Sequence, residues 1–460
     1  MVSCRNAHPP VRQQSGRGTL TVCLVGTPDT FGVAMNKSLA LFAVLAACAP
    51  AVEESQKNDE PTPETDCAPV DRATPSDTAL DVADASNAFA VDMYNTVAEG
   101  AEGDENLFFS PFSISSALGM TLAGAEGETE RQMRAVFHIG DDETAHHQGY
   151  GELSQAVFAK PTDCDSTVKM ANRLFGQTGY PWLDTFLDVT ALDYEAELEE
   201  RDFAGNPDGE RIYINQWVAE QTEDHIQDLL PEGVIDASTR LVLANAIYFN
   251  ADWAHPFEAS ATQESTFTLR DGSEVTTPIM YQTLITRSTF VDGLMAVELD
   301  YEGGTQSMVL VMPENADEDF APSSAFSAQQ LVAIEDSLAD MGEVSLGLPR
   351  FDFTRRTDLK DILEEMGMVD AFSEGIADFS GMADQATTGE SLFISGAFHK
   401  AFIAVDEAGT EAAAATAVGV GATSAPSIQF VANRPFAFYI RDNATGTVLF
   451  MGRVHNPTAD

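Results

Sequence analysis

The histidines are the first side chains in this sequence whose type could move a proton or hold a metal. His146 and His147 are adjacent, so on a helix they point in different directions and make a poor metal pair. His225, His255, His399 and His455 are scattered, as hydrogen-bonded structural histidines are. No HExxH, GxSxG, Walker or GxGxxG pattern is present. Asp and Glu number 73, so abundant that a pair of them carries no information. The five cysteines show no metal-type CxxC spacing. The residues give an enzyme reading no support, and we expect no catalytic residue, cofactor or metal.

A different chemistry is open to the stretch from Asp406 to Thr423. Every second residue from Thr410 (Ala412, Ala414, Thr416, Val418, Val420, Ala422) is small or β-branched and uncharged. The other phase holds Glu411, Ala413, Ala415, Ala417, Gly419, Gly421 and Thr423, and it contains the only charge. Period-two segregation marks a strand with one buried face. The alanine run and the glycines nevertheless make a poor strand by propensity. Such small side chains suit a segment that enters a tight slot without steric cost. On composition alone a low-complexity linker or a weak alanine helix reads equally well.

The elements around that stretch can be read coarsely. Ser86 to Ala98 has helical apolar spacing, through Phe89, Val91, Met93, Tyr94 and Val97. Residues 113–122, 128–136 and 357–366 read as helices, and residues 212–230 as an amphipathic helix ended by Pro231 and Gly233. Residues 166–177 alternate like a strand, and Leu241 to Phe249 is apolar enough to be a central strand buried on both faces. Residues 308–312, 427–430, 436–440 and 448–454 read as further strands. Helices come first and strands later, which suits an α+β domain without internal repeats.

Motifs along the chain then sharpen this picture. Glu407-Ala-Gly-Thr-Glu-Ala-Ala-Ala-Ala-Thr resembles the mobile-loop hinge of inhibitory serpins. Asn106-Leu-Phe-Phe-Ser-Pro-Phe-Ser-Ile-Ser resembles that family's early helix motif. Leu243-Ala-Asn-Ala-Ile-Tyr-Phe-Asn-Ala-Asp-Trp-Ala-His-Pro-Phe resembles its third central strand and the following turn. Leu348-Pro-Arg-Phe, Asp378-Phe-Ser-Gly-Met, Phe398-His-Lys-Ala, Asn433-Arg-Pro-Phe-Ala-Phe and Phe450-Met-Gly-Arg-Val-His-Asn-Pro follow in the family's order. The resemblance covers roughly residues 84–458.

The resemblance implies a serpin fold, with about nine helices around three β-sheets and an exposed reactive loop. It implies a suicide inhibitor: a protease cleaves the loop, and the loop inserts into the central sheet before the acyl-enzyme hydrolyses. The family's hinge length, counted from Gly409, puts the reactive bond at Thr423–Ser424. Glu407, Gly409, Thr410, Glu411, Ala412, Ala413, Ala414, Ala415 and Thr416 match the hinge. Ser110, Ser113, Asn245 and His399 match the hydrogen-bonded shutter beneath the parting strands, and Trp253 matches the aromatic at the breach, where the loop first enters. The uncharged tip near Thr423 suits elastase-like or subtilisin-like serine proteases. A non-inhibitory serpin-fold binding or structural protein at a surface, or a cross-class inhibitor of cysteine proteases, is the alternative.

With 24 Lys plus Arg, the formal net charge is -49. A field of that sign repels nucleic acid, anionic membranes and heparin-type polyanions. It fits a saline habitat or an ordinary acidic secreted protein. Residues 1–34 are basic and read as upstream sequence outside the mature protein. Residues 35–48 read as a signal peptide: a positive start, a short apolar run, and Leu45-Ala-Ala-Cys48, which resembles the bacterial lipobox and implies a lipid on Cys48. Residues 49–83 read as an acidic tether and 84–460 as the serpin domain. Cys67 and Cys164 remain as a disulfide or as two free thiols. The expected protein is an exported monomer, lipid-anchored at a surface or in the periplasm, or secreted, whose only contact with a membrane is that anchor.

Overall fold

A computed structural model describes residues 72, 74–100, 105–159, 167–315, 327–338, 341–410 and 428–459. Its helices are α1 (Asp77–Gly100), α2 (Pro111–Leu122), α3 (Gly127–Val136), α4 (Glu143–Val157), α5 (Asp184–Asp193), α6 (Pro207–Gln221), α7 (Ala328–Ser337), α8 (Leu359–Glu365) and α9 (Gln385–Thr388). The strands are β1 (Leu107–Phe109), β2 (Thr167–Gln177), β3 (Leu198–Arg201), β4 (Leu241–Asp252), β5 (Gln263–Thr268), β6 (Glu274–Val291), β7 (Leu294–Asp300) and β8 (Gln306–Pro313). They continue with β9 (Met341–Pro349), β10 (Phe351–Asp358), β11 (Phe398–Val405), β12 (Gly409–Thr410), β13 (Ile428–Val431), β14 (Phe436–Asp442) and β15 (Val448–Val454). None of the described helices is long and apolar enough to cross a membrane.

Three sheets result, in an α+β arrangement, because the long β6 serves two of them. Its first half pairs with β5 and its middle with β9, whose other edge carries the parallel β13. Its last four residues pair with β7, in the sheet completed by β8, β14, β15 and β1. The third sheet has the order β10-β11-β12-β4-β2-β3 and holds the candidate site.

That third sheet is covered on both faces. Along β11 the inward His399, Ala401, Ile403 and Val405 are buried and alternate with partly exposed residues. Ile247, Phe249 and Ala251 of β4 join the same core. Ala244 and Val242 of β4 pack on the opposite face, against Phe175, Phe203, Ile214 and Val218. Burying each large apolar side chain is worth about 1.5–3 kcal/mol, so the α6 region is firmly seated on the sheet. The near-continuous apolar run from Leu241 follows from this two-sided burial.

Two boundaries differ from the sequence reading. The helix expected over 212–230 is α6, which runs Pro207–Gln221. Beyond it the chain doubles back, because Asn215 Nδ2 donates to Leu230 O (2.9 Å) and Leu230 N donates to Asn215 Oδ1 (2.8 Å). Glu223, Asp224 and Asp228 take positive φ in that turn, which keeps apolar spacing without helical geometry. The tether expected to reach residue 83 also ends early, since α1 starts at Asp77. Ser76 Oγ accepts from Ala79 N (3.1 Å), and Ala79, Val82 and Ala83 are buried. Pro75-Ser76-Asp77 is a helix-start signal inside the acidic segment.

Candidate reactive-loop slot

β12 is two residues long and sits between β4, distant in sequence, and β11, which precedes it. Gly409 pairs with Asp252 and Thr410 with Ala251 of β4, while Thr410 also faces Val405 of β11. No ladder joins β4 directly to β11 among the described residues. The pair therefore opens a slot whose rims are β4 and β11 and whose mouth is β12.

Side chains fix the mouth. Trp253 N donates to Ala408 O (2.8 Å), and Trp253 Nε1 donates to Asp406 O (3.0 Å). The indole stacks on Tyr301, with ring centroids 4.5 Å apart. Phe257 N donates to Glu407 O (2.8 Å), and the Glu407 carboxylate pairs with Arg350 and accepts from Thr262. Burial alone would raise the Glu407 pKa, but the bonds from Arg350 and Thr262 outweigh it and hold the carboxylate below its usual range. Asp406 Oδ1 accepts from Ala408 N (2.8 Å) and Gly409 N (3.2 Å), turning the chain into the slot. A Cβ on Gly409 would lie 2.2 Å from Ala251 O, so only glycine fits there. Thr410 is 2% exposed and points inward, and its hydroxyl meets the Tyr301 hydroxyl at 2.7 Å. Residues 411–427, with the rest of the expected hinge and the bond Thr423–Ser424, lie outside the described residues, as do Cys48, Cys67 and Cys164.

Below the mouth, the four expected shutter residues form one hydrogen-bonded chain. His399 Nε2 accepts from Ser110 N (3.0 Å), and Ser110 Oγ donates to Leu449 O (2.6 Å). Ser113 N donates to Ser110 Oγ (3.1 Å), and Ser113 Oγ donates to Asn245 Oδ1. Ser110 does this from the N-cap of α2, which presents its Oγ to Ser113 N. The chain continues to a residue the sequence did not single out: Asn245 Nδ2 donates to Asn172 Oδ1, and Asn172 Nδ2 donates to Ser116 Oγ (3.0 Å) and Tyr194 O (3.2 Å). Burial pushes the His399 pKa down to about 4, so the ring is neutral near pH 7 and its Nε2 is free to accept. Asn172 and Asn245 are directly paired across β2 and β4, and this pairing is the signal that could have flagged Asn172.

None of this geometry places a nucleophile beside a base, and no group of His, Cys, Asp or Glu among the described residues could hold a metal. What the arrangement offers is a gap in a sheet with one strand end already threaded into it.

The serpin sequence pattern, described as serine protease inhibitor, matches residues 84–457. The chain belongs to the serpin family. A serpin-like protein of Methanosarcina acetivorans is 35% identical over 92% of this chain and 99% of its own length. The leukocyte elastase inhibitor of Bos taurus is 40% identical, covering 81% of this chain and 98% of its own. Among solved structures, the Manduca sexta serpin-12 superposes with a TM-score of 0.72 at 25% identity, covering 82% of this chain and 99% of the other. β12 opens the segment whose sequence resembles the serpin loop hinge. Trp253, Tyr301, Arg350 and Thr262 surround it; Trp253 and Arg350 lie within motifs of the sequence, and Tyr301 and Thr262 do not.

Proposed function

We infer that this serpin is a suicide inhibitor of a serine protease, and that its loop enters the slot between β4 and β11. The observation that carries the reading is Thr410, paired to both rims and buried to 2% exposure. Insertion that continued the Thr410 register without a bulge would bring Ala412 opposite Phe249 and Ile403, and Ala414 opposite Ile247 and Ala401. The same insertion would bring Thr416 between Asn245 and His399, so that a hydroxyl enters their polar row. The inward phase is thus small where the walls are apolar and polar where they are polar.

In the reaction, the protease serine oxygen attacks the Thr423 carbonyl carbon. An ester forms, the Thr423–Ser424 peptide bond breaks, and Ser424 leaves as a free amine after taking a proton. Insertion then carries the ester toward the far end of the sheet faster than water cleaves it. The small, uncharged tip fits an elastase-like or subtilisin-like pocket, and relatives named for elastase inhibition support that choice. The lipobox-like Leu45–Cys48 and the acidic segment after it support display of a monomer on a surface tether. Fatty-acid labelling that survives Cys48→Ser would remove the anchor from this reading.

The decisive experiment is incubation with a subtilisin or an elastase, read on a denaturing gel, with mass spectrometry of the released peptide. A denaturant-resistant complex and a peptide beginning at Ser424 are expected. Clean loop cleavage with no complex would overturn the reading.

A further inference from the structure

Below β12 no described backbone ladder joins β4 to β11, so side chains hold the two rims together. On the inner face the shutter chain does this, from Asn245 of β4 through Ser113 and Ser110 to His399 of β11. On the outward face the tie is His225, in the turn after α6. Its ring stacks on Tyr248 of β4 (centroids 5.2 Å apart, planes at 12°) and on Phe402 of β11 (5.3 Å, 16°). Both aromatics are on the outward face, because their neighbours Ile247, Phe249, Ala401 and Ile403 belong to the inner core.

The two stacks are not equivalent. The turn is bound to α6: Asn215 holds Leu230 by two hydrogen bonds, and Ile226 and Leu229 share a core with Ile214 and Val218. The helix in turn is bound to the β4 side of the slot. Arg201 of β3 donates to Glu210 (2.5 Å) and lies 3.6 Å from the Tyr213 ring centroid, and Tyr213 OH donates to Glu199 (2.8 Å). His225 therefore belongs with β2, β3 and β4, and Phe402 is where it grips the other side. Lys400 Nζ also crosses, to Gln227 O (2.6 Å), but that bond is exposed and water can replace its acceptor.

We propose that His225 is a clasp on the slot: its grip on Phe402 holds the rims together in the uncut chain, and opening must break it. The proposal rests on the loop-insertion reading and deepens it. Admitting one strand separates the rims by about 4.8 Å. That would carry the Phe402 ring to roughly 10 Å from a histidine that stays with β4, beyond the ~4.5–7 Å over which rings attract. The clasp thus belongs to the closed sheet, is lost on insertion, and forms part of the barrier to opening.

Amide hydrogen exchange across residues 241–252 and 398–405 of the uncut chain reads opening of the seam. Loss of protease trapping on warming, without cleavage, reads premature entry of the loop. His225→Ala should speed both about tenfold, the worth of one ring pair. His225→Phe keeps a ring between Tyr248 and Phe402 and should leave both at wild-type rates. Phe402→Leu should match His225→Ala, and the double variant should be no faster than either, since both remove one contact. Exchange in α6 should stay at the wild-type rate, which separates an opened seam from a loosened fold. Wild-type exchange in His225→Ala and Phe402→Leu, additive effects, or equal acceleration in α6 would overturn the proposal. A chain that shows these rim changes but traps no subtilisin or elastase fails at the inhibitor reading alone, and the clasp stands.

Discussion

The hydroxyls of Thr410 and Tyr301 meet at 2.7 Å inside the core, 109 residues apart in sequence. The bond ties β12 to the chain just after β7, and it aims Thr410 away from solvent. Burial also pushes the Tyr301 pKa well above its ordinary value, so the phenol stays protonated and able to donate.

Thr410→Arg should therefore convert the inhibitor into a substrate. A guanidinium at this site would need a charged partner, and Tyr301 offers only a hydroxyl, so insertion would stall while deacylation proceeds. Gel-resistant complex should vanish while loop cleavage continues. Unchanged trapping would contradict inward insertion of Thr410. Thr410→Val keeps the shape but strands the buried Tyr301 hydroxyl, and should cost about 1–3 kcal/mol in urea unfolding.

Glu407→Lys should loosen the mouth. The carboxylate that Arg350 and Thr262 share is replaced by a second cation facing Arg350. We expect a loss of about 1–3 kcal/mol, read as a lower urea midpoint at unchanged slope. Glu407→Gln keeps the acceptor for Thr262 and should lose less than Glu407→Lys.

Ser113→Ala and Asn245→Ala should each cost about 1–3 kcal/mol, since each leaves a partner of the shutter chain unsatisfied. The double variant should cost clearly less than the sum, because the two share one hydrogen bond. Additive losses would mean that the two side chains act independently. Asn172→Ala should couple to Asn245→Ala in the same way.

Acid should weaken the fold between about pH 6.5 and pH 4. The buried ring of His399 and the partly buried ring of His146 are both pushed down to about 4 in the folded chain, against 6.5 for an ordinary histidine, chiefly because loss of solvent disfavours their charged forms. In that window the unfolded chain binds more protons, so stability rises with pH and is fully present above 6.5. His399 alone accounts for at most about 3 kcal/mol of the change. Melting from pH 7 to pH 4 in His399→Gln should show a shallower fall than in the wild type, and parallel curves would count against the buried neutral ring.

The family, the α+β class, the period-two alternation from Thr410 and the four residues Ser110, Ser113, Asn245 and His399, which form one hydrogen-bonded chain, could be read from the sequence. These are legible because they are written in local order: period-two alternation from Thr410, the apolar run from Leu241, and motifs of many residues in a fixed sequence. The start of α1 was also written locally, at Ser76, but lay within a stretch of tether-like composition. Only the tertiary structure decided the rest. Asn172 joins the shutter through cross-strand pairing, and Tyr301 and Arg350 meet the hinge from other sheets or from between strands. His225 reaches both rims because Asn215 folds the chain back after α6 and ends a helix that apolar spacing alone would have prolonged to Leu230. Such contacts join residues tens to hundreds of positions apart. Their energies depend on burial and register, which no local pattern encodes.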